Sequence, residues 1–337
     1  MKKKFPFRKN GRFQALDKRD HKWLWSVCKT AWRAIKHNFT GHENDLAATW
    51  VVQPQFVERS EELKITWLGH SSFLIQVGGK NILTDPILGR LTYIFSRIIP
   101  NIVKVEDLPV IDYVLLSHNH FDHMDSDTLL ALKKQFPEIF VCVPMGDKAW
   151  FDRRGFEAVS EHMWWDTIPA GAGVGFTFLP ANHWSQRGVF DKNCSLWGSW
   201  MIQHNNATVY FAGDTAWGNH FDDIADHFPV IDVALMPIAP AEPACMMKEG
   251  HMDAEEAGEA FLRLNARLFI PMHWGTYHLG LDSFEAPINR LSAWWKENQA
   301  RCRDKLLKYV KAGELVQITQ SIVNRVRFEQ SNTQLFL

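Results

Sequence analysis

Apolar residues along this 337-residue chain fall into short bursts separated by glycine or polar breaks, and the early bursts follow the two-residue period of strands. The pattern predicts strands over residues 64–68, 73–77, 81–84 and 113–116, with Gly78-Gly79 as a hairpin turn. Beyond residue 125 helical spacing enters. Residues 126–136, 147–155 and 253–264 read as helices, and 140–143 as a strand. Three further apolar runs, 175–180, 208–213 and 268–272, are strand-like and each gives way to a loop. Such a chain is a mixed α/β domain. No internal repeat or low-complexity linker interrupts it, and residues 321–337 read as a tail or edge extension.

The N-terminal segment has a different pattern. Leu24, Val27, Cys28, Ala31, Trp32 and Ile35 keep helical spacing, with Lys22, Lys29, Arg33 and Lys36 mainly on other faces. Residues 1–40 hold twelve Lys or Arg against Asp17 and Asp20, a surplus of ten, whereas the whole chain has a net charge of −1. The remainder is therefore acidic, a poor surface for nucleic acid. A basic amphipathic helix with tryptophans suits an anionic membrane surface, or a strap on the main domain with its cations in solvent. A second apolar stretch, 91–100, reads as a loop or helix buried for packing or as an apolar surface open to a ligand.

Composition fits a water-soluble enzyme. With 46% hydrophobic and 22% charged residues the chain can bury a substantial core, and no run approaches a membrane span. Met1-Lys2-Lys3-Lys4 has no apolar stretch of signal-peptide length after it. Five scattered cysteines without a Cys-x-x-Cys pair indicate neither a disulfide framework nor a thiolate zinc site. A cytoplasmic location is expected, with peripheral attachment to a membrane through residues 1–40.

Residues 118–123, His-Asn-His-Phe-Asp-His, carry the most specific chemistry. His118 and His120, two apart, point the same way from extended chain, while Asp122 and His123 fall on the next turn, where they can reach a second ion. His183, Asp214 and His273 follow later apolar runs at loop entrances, where layered α/β folds gather functional groups. Seven imidazole and carboxylate ligands thus arise from several strand ends.

In that order these residues form a motif that resembles the metallo-β-lactamase superfamily, over roughly residues 63–320. The pieces Leu83-Thr84-Asp85-Pro86, Leu196-Trp197-Gly198-Ser199-Trp200, Phe211-Ala212-Gly213-Asp214-Thr215 and His273-Trp274-Gly275-Thr276 are similar to the family of phospholipases D that hydrolyse N-acyl-phosphatidylethanolamine. The resemblance implies a four-layer αββα sandwich and two zinc ions. His118, His120 and His183 would hold the first, Asp122, His123 and His273 the second, and Asp214 would bridge them. Asp122, Asp85 and His251 are the catalytic candidates: Asp85 to hold a water or the far nitrogen of a ligand histidine, His251 to help protonate the leaving alkoxide. Two zincs about 3.5–4 Å apart can acidify a shared water and clamp an in-line displacement at phosphorus.

The expected organisation is a basic N-terminal extension over 1–45, a hydrolase domain over 60–320 and a tail over 321–337. The expected activity is hydrolysis of N-acyl-phosphatidylethanolamine or a related phospholipid on the phospholipase D side, giving phosphatidic acid and an N-acylethanolamine or alcohol. A zinc lactonase or other ester hydrolase is the alternative, and a lipid-surface binding protein without turnover is the alternative from another class. The expected partners are the phospholipid substrate and an anionic membrane, with no nucleic acid; the resemblance also implies a homodimer.

Overall fold

In the computed structural model, which describes residues 5–16, 42–91, 97–205 and 207–319, a short hairpin (β1, Arg8–Lys9; β2, Arg12–Phe13) precedes two seven-stranded sheets. The basic segment around residues 22–36, residues 92–96 of the second apolar stretch and the tail 321–337 lie outside the described residues. The first sheet contains β3 (Lys64–Gly69), β4 (Ser72–Val77), β5 (Lys80–Thr84), β6 (Tyr113–Leu115), β7 (Phe140–Pro144) and β8 (Val159–His162). The second is built from β9 (Thr167–Gly171), β10 (Val174–Leu179), β11 (Ser199–His204), β12 (Ala207–Phe211), β13 (Ile231–Pro237), β14 (Ala266–Met272) and β15 (Leu306–Leu307). A last strand, β16 (Leu315–Gln317), returns to the first sheet beside β3.

The two sheets share a plan. In the first, β16, β3, β4 and β5 pair antiparallel and β5 to β8 pair parallel. In the second, β9 to β12 pair antiparallel and β12 to β15 parallel. Because β10 and β12 are each antiparallel to β11, they run in the same direction, as do β13 and β14. The loops after β5 and β6, and those after β10, β12 and β14, therefore leave the C-terminal ends of like-directed strands, where open α/β sheets gather functional groups.

Side-chain alternation explains why the strands read as nearly continuous apolar runs. Ile65, Trp67, Phe73, Ile75, Val77, Ile82 and Leu115 join Phe176, Phe178, Trp200 and Phe211 in a core shared by both sheets. Their alternates Leu68, Leu74, Leu83 and Val114 form a second core with Leu129 and Leu132 of helix α2. Both faces of the first sheet are thus buried. Among the described residues the helices are α1 (His42–Ala48), α2 (Ser126–Gln135), α3 (Lys148–Asp152), α4 (His220–His227), α5 (Ala244–Met247), α6 (Ala254–Arg263) and α7 (Ala286–Glu297). Asp125 caps α2 by accepting from the Thr128 N–H at 2.9 Å, and Asp253 with Glu256 forms a capping box on α6. Helices over two internally packed sheets make the αββα sandwich.

The helix expected over 147–155 is shorter, ending at Asp152, for a local reason. The Asp147 side chain makes no cap and instead accepts from Asn119 Nδ2 (2.9 Å) and Ser195 Oγ (2.7 Å), and Gly155 turns left-handed at φ +69°. In the N-terminal hairpin Phe13 is buried, and its N–H donates to Asn193 O at 2.8 Å. Arg12 donates to the carbonyls of Phe190 and Lys192, so hairpin and loop 185–194 form one unit. Of the second apolar stretch, Ile98 and Ile99 are buried, and Arg97 donates to the Leu68 carbonyl at 2.6 Å. No helix among the described residues is long and apolar enough to cross a membrane.

Candidate metal centre

The loop after β6 turns sharply, with the N–H groups of His123 and Met124 both donating to His120 O. The turn aims two sets of side chains at two neighbouring points. His118 Nε2 and His183 Nε2 lie 2.8 and 3.2 Å from His120 Nδ1. Asp122 Oδ2 lies 3.4 Å from His123 Nε2 and 3.5 Å from His273 Nε2, and those nitrogens are 3.3 Å apart. Asp214 stands between the sets. Its Oδ2 is 3.2 Å from His123 Nε2, 3.8 Å from His183 Nε2 and 4.0 Å from His118 Nε2, and its Oδ1 is 3.1 Å from His273 Nε2.

These separations test whether a cation fits. Zinc–nitrogen bonds of about 2.0–2.1 Å in tetrahedral array put ligand nitrogens about 3.3 Å apart, close to what both clusters show. Ring nitrogens that face one another without a shared positive charge would set lone pair against lone pair. The Asp214 Oδ1 atom is buried and accepts no hydrogen bond, an unmet acceptor that a cation would satisfy. The donor set, imidazole nitrogen with carboxylate oxygen and no thiolate, matches zinc and similar divalent ions.

Electrostatics separates the two clusters. Burial, helped by neighbouring imidazoles, drives His118 well below its ordinary value and His183 down to about 3, and burial takes His120 to about 4. Their lone pairs are free at neutral pH. Burial opposes charge at His123 and His273 as well, but the Asp214 and Asp122 carboxylates outweigh it, raising His123 well above its ordinary value and His273 to about 9. The carboxylates respond in kind. Burial would raise Asp122 and Asp214, yet the surrounding imidazoles, His123 foremost, hold both well below the usual range.

An outer layer fixes the ligands. The Asp85 side chain points inward from the end of β5, its Oδ2 2.7 Å from His123 Nδ1 and 2.5 Å from Ser117 Oγ, while its Oδ1 accepts from the Ser117 N–H at 2.7 Å. Ser117 Oγ also lies 2.8 Å from His118 Nδ1. The hydroxyl has one proton, donated to the carboxylate, so it accepts from His118 Nδ1–H. One carboxylate thereby sets the tautomer of a ligand in each cluster and leaves both Nε2 atoms free. His183 is fixed separately, through Nδ1–H to Gly250 O at 2.8 Å.

The tryptophan motifs serve this geometry through the backbone. Trp197 Nε1–H donates to Ala181 O and Trp200 Nε1–H to Leu116 O, two residues ahead of His183 and His118 respectively. A Cβ on Gly198 would meet Leu179 O at 2.5 Å, and one on Gly213 (φ +57°) would meet Ser117 Cβ at 2.4 Å. Both positions need glycine for close chain crossing. Arg187 ties the outer loop to the ligand loop by donating to Asn119 O, Met124 O and Ser126 Oγ, and it lies 4.7 Å over the Phe121 ring.

His251 stands at the edge, with Nδ1 3.7 Å from Asp214 Oδ2 and its side chain 17% exposed. Sequence reasoning missed His70. This buried imidazole sits in the β3–β4 turn, and its Nε2 lies 3.0 Å from Asp122 Oδ2. The available signal was its place after an apolar strand and a glycine, the same strand-end setting that marks His183 and Asp214.

An αββα sandwich with a His/Asp cluster at the C-terminal ends of its strands is the metallo-β-lactamase class of fold. The chain belongs to the β-lactamase superfamily: the family model described as "Beta-lactamase superfamily domain" matches residues 80–274. It is 34% identical over 233 residues to N-acyl-phosphatidylethanolamine-hydrolyzing phospholipase D 1 of Caenorhabditis elegans, covering 65% of each chain. To the mitochondrial protein of the same description from Saccharomyces cerevisiae it is 31% identical over 265 residues, 74% of this chain and 56% of that one. The matches thus span less than two thirds of those relatives' lengths. Among solved structures, a metallo hydrolase from Ignicoccus hospitalis superposes with a TM-score of 0.59 at 23% identity, over 76% of this chain and 98% of that one. An isothiocyanate hydrolase from Delia radicum gut bacteria gives 0.61 at 20%, over 76% and 99%. These two share the fold.

Proposed function

We propose that the protein is a metal-dependent phosphodiesterase acting on N-acyl-phosphatidylethanolamine or a related phospholipid on the phospholipase D side, with two divalent ions, zinc foremost, in the clusters described above. The observation that carries this reading is the pair of cavities that meet at the ligands. One, about 390 Å³, is lined by His120, Asp122, His183, Asp214, His251 and Lys192. The other, about 410 Å³, starts at His120 and Asp122 and runs between Leu91, Phe121, Trp184 and Leu279. A charged chamber opening into an apolar one suits an amphiphilic diester, and each has the size of a small-molecule site. The similarity to the nematode and yeast phospholipases supports the same substrate class.

His118, His120 and His183 would hold one ion, Asp122, His123 and His273 the other, with Asp214 between them. The ions would supply positive charge that polarises the phosphodiester and acidifies a water. The protein's own groups do the rest. Asp85 keeps two ligand imidazoles in the binding tautomer, and Lys192 at the cavity wall draws in the phosphate. Burial drives His251 below its ordinary value, so it acts as a neutral N–H donor to the leaving alkoxide and not as an imidazolium acid. Water adds to phosphorus and gives up a proton, the bond from phosphorus to the ethanolamine oxygen breaks, and that oxygen receives the proton by way of the His251 ring, which takes up one proton as it passes on another, and leaves as the N-acylethanolamine.

Access from a bilayer is part of the reading. Val189 and Phe190 are 80% and 87% exposed, one and two residues past Gly188 at the apolar cavity. Strand alternation places Phe7, Lys9 and Arg12 on one side of the hairpin, and Arg12 is bonded to Phe190 O. Apolar tips among cations match an anionic lipid surface, and residues 1–40 would extend that contact from the hydrolase unit over 60–320.

The test is hydrolysis of N-acyl-phosphatidylethanolamine vesicles by zinc-loaded protein with mass-spectrometric products, beside Asp214→Asn. Phosphatidic acid and N-acylethanolamine, formed by the wild type and lost in the variant, are the expected result. Wild-type turnover by Asp214→Asn would refute the role of the shared carboxylate, and turnover of lactones with no lipid hydrolysis would replace the phosphodiesterase with an ester hydrolase.

A further inference from the structure

His70 is a wholly buried, polar residue that the chemistry above leaves unused. Its backbone is left-handed at φ +54°, a conformation that costs a side-chain-bearing residue about 1–2 kcal/mol. Such a conformation persists where surrounding contacts over-determine it, and here they do. The His70 N–H donates to Thr276 Oγ1 at 2.7 Å, and its carbonyl accepts from Trp67 Nε1–H at 2.9 Å and from the His273 N–H at 3.2 Å. The His70 ring lies 4.0 Å from that of His273, itself left-handed at φ +60°. Gly69 beside it, at φ +101°, leaves no room for a Cβ, which would meet Arg97 Nη2 at 2.3 Å.

One residue therefore grips two ligands of the same cluster: the backbone of His273 through its carbonyl, and the side chain of Asp122 through Nε2 at 3.0 Å. The buried His70 ring turns Nε2 toward Asp122 Oδ2, and because an ionised carboxylate only accepts, that nitrogen carries an N–H. Facing a carboxylate oxygen at hydrogen-bond distance, that N–H is a donor. A donating nitrogen has no lone pair left for a cation, which sets His70 apart from His123 and His273.

We propose that His70 is a positioning residue for the ion held by Asp122, His123 and His273, orienting the Asp122 carboxylate by donation and pinning the His273 backbone. The inference rests on the two-ion reading above and deepens it. Donors behind ligand carboxylates typically matter by 10–100-fold in metal affinity. The loss should fall on one ion alone, because none of the contacts described for His70 reaches His118, His120 or His183.

The experiment is zinc binding by the full chain at free-zinc levels set with a chelator buffer, for the wild type, His70→Ala and His70→Gln. Zinc per chain is measured by mass spectrometry, with cobalt spectra of the same proteins and unfolding of the zinc-free forms alongside. The expected result is two ions in the wild type, one of them weakened about 10–100-fold in His70→Ala, and recovery of most of that affinity in His70→Gln, whose amide can donate to Asp122. A purely structural role would lower zinc-free stability without a selective effect on one ion. Two unchanged affinities in His70→Ala, or a His70→Gln as weak as the alanine variant, would overturn the proposal while leaving the two-ion reading standing. If His70→Ala does not fold, His70→Gln and its cobalt spectrum decide, with wild-type behaviour supporting the donor role and loss of one ion refuting it. A wild type that binds a single ion overturns the two-ion reading and this inference together.

Discussion

Asp85→Asn separates the wiring of the ligands from the ligands themselves. The amide keeps an acceptor at Oδ1 for the Ser117 N–H, 2.7 Å away, but places an N–H where Oδ2 received His123 Nδ1 at 2.7 Å and Ser117 Oγ at 2.5 Å. Three donors cannot share that point. His123 is pushed toward the tautomer with its proton on Nε2, and Ser117 turns its hydroxyl proton toward His118 Nδ1, driving His118 the same way. Both nitrogens then face the ion positions with hydrogens instead of lone pairs. At 10–100-fold in affinity per misdirected ligand, each ion should lose about 1.4–2.7 kcal/mol. Chelator competition on the zinc-free protein measures both steps, and thermal unfolding without zinc shows whether the fold survives the isosteric change. Loss at one ion alone would refute the relay through Ser117 and leave only the direct bond to His123. Unchanged affinity at both would refute the role of Asp85 altogether.

Gly213→Ala should destabilise by about 2–4 kcal/mol, combining the left-handed φ with overpacking against Ser117, as read by chemical denaturation; a change below about 1 kcal/mol would mean the chains do not cross so tightly. Burial raises Asp147 to about 7 from 3.8, so between those values the folded chain binds more protons than the unfolded one, and stability falls as pH rises from about 4 to 7. Asp147→Asn should flatten that fall, gaining on the wild type toward pH 8 by at most about 4 kcal/mol, and parallel unfolding-against-pH curves would contradict it. Replacing Val189 and Phe190 by serine should weaken sedimentation with anionic vesicles several-fold while leaving hydrolysis of a short soluble diester within about twofold. Equal loss on both substrates would assign the loop to the reaction instead of the lipid surface.

The histidines and aspartates that the structure gathers into two clusters stand out in the sequence because each sits at the end of an apolar run and belongs to a residue type with little reason to be there otherwise. The β-meander from residue 64 was equally plain, since Ile65, Trp67, Phe73 and Ile75 alternate with side chains on the opposite face. Other features needed the fold. Ser160 and Glu161 in edge strand β8 are only partly buried and Thr167 in β9 is exposed, so these stretches are too polar to register as strand. His70 has no histidine at ligand spacing and meets Asp122 only because β3, β4, β5 and β6 follow one another in one sheet, which brings the β3–β4 turn to the loop after β6. Trp197 and Trp200 declare themselves as core residues, but no local pattern says that their indoles bind the backbone ahead of two ligands. The helix expected to 155 forms but stops at Asp152, because the chain turns left-handed at Gly155 (φ +69°).

Arg187 is the described joint between two parts of the molecule that answer to different demands. On one side are ligands locked by carboxylate, indole and glycine contacts of about 2.5–3 Å, where a single methyl group has no space. On the other, Leu91 and Phe121 line the apolar cavity, and Val189 and Phe190, which follow Gly188 of its wall, are exposed to solvent. Mutation can rewrite the second set while the first stays fixed, so the shape and polarity of the cavity can change at little risk to the clustered residues. What the cavity admits is then the property that changes quickly, and the buried cluster of histidines and aspartates the one that changes slowly.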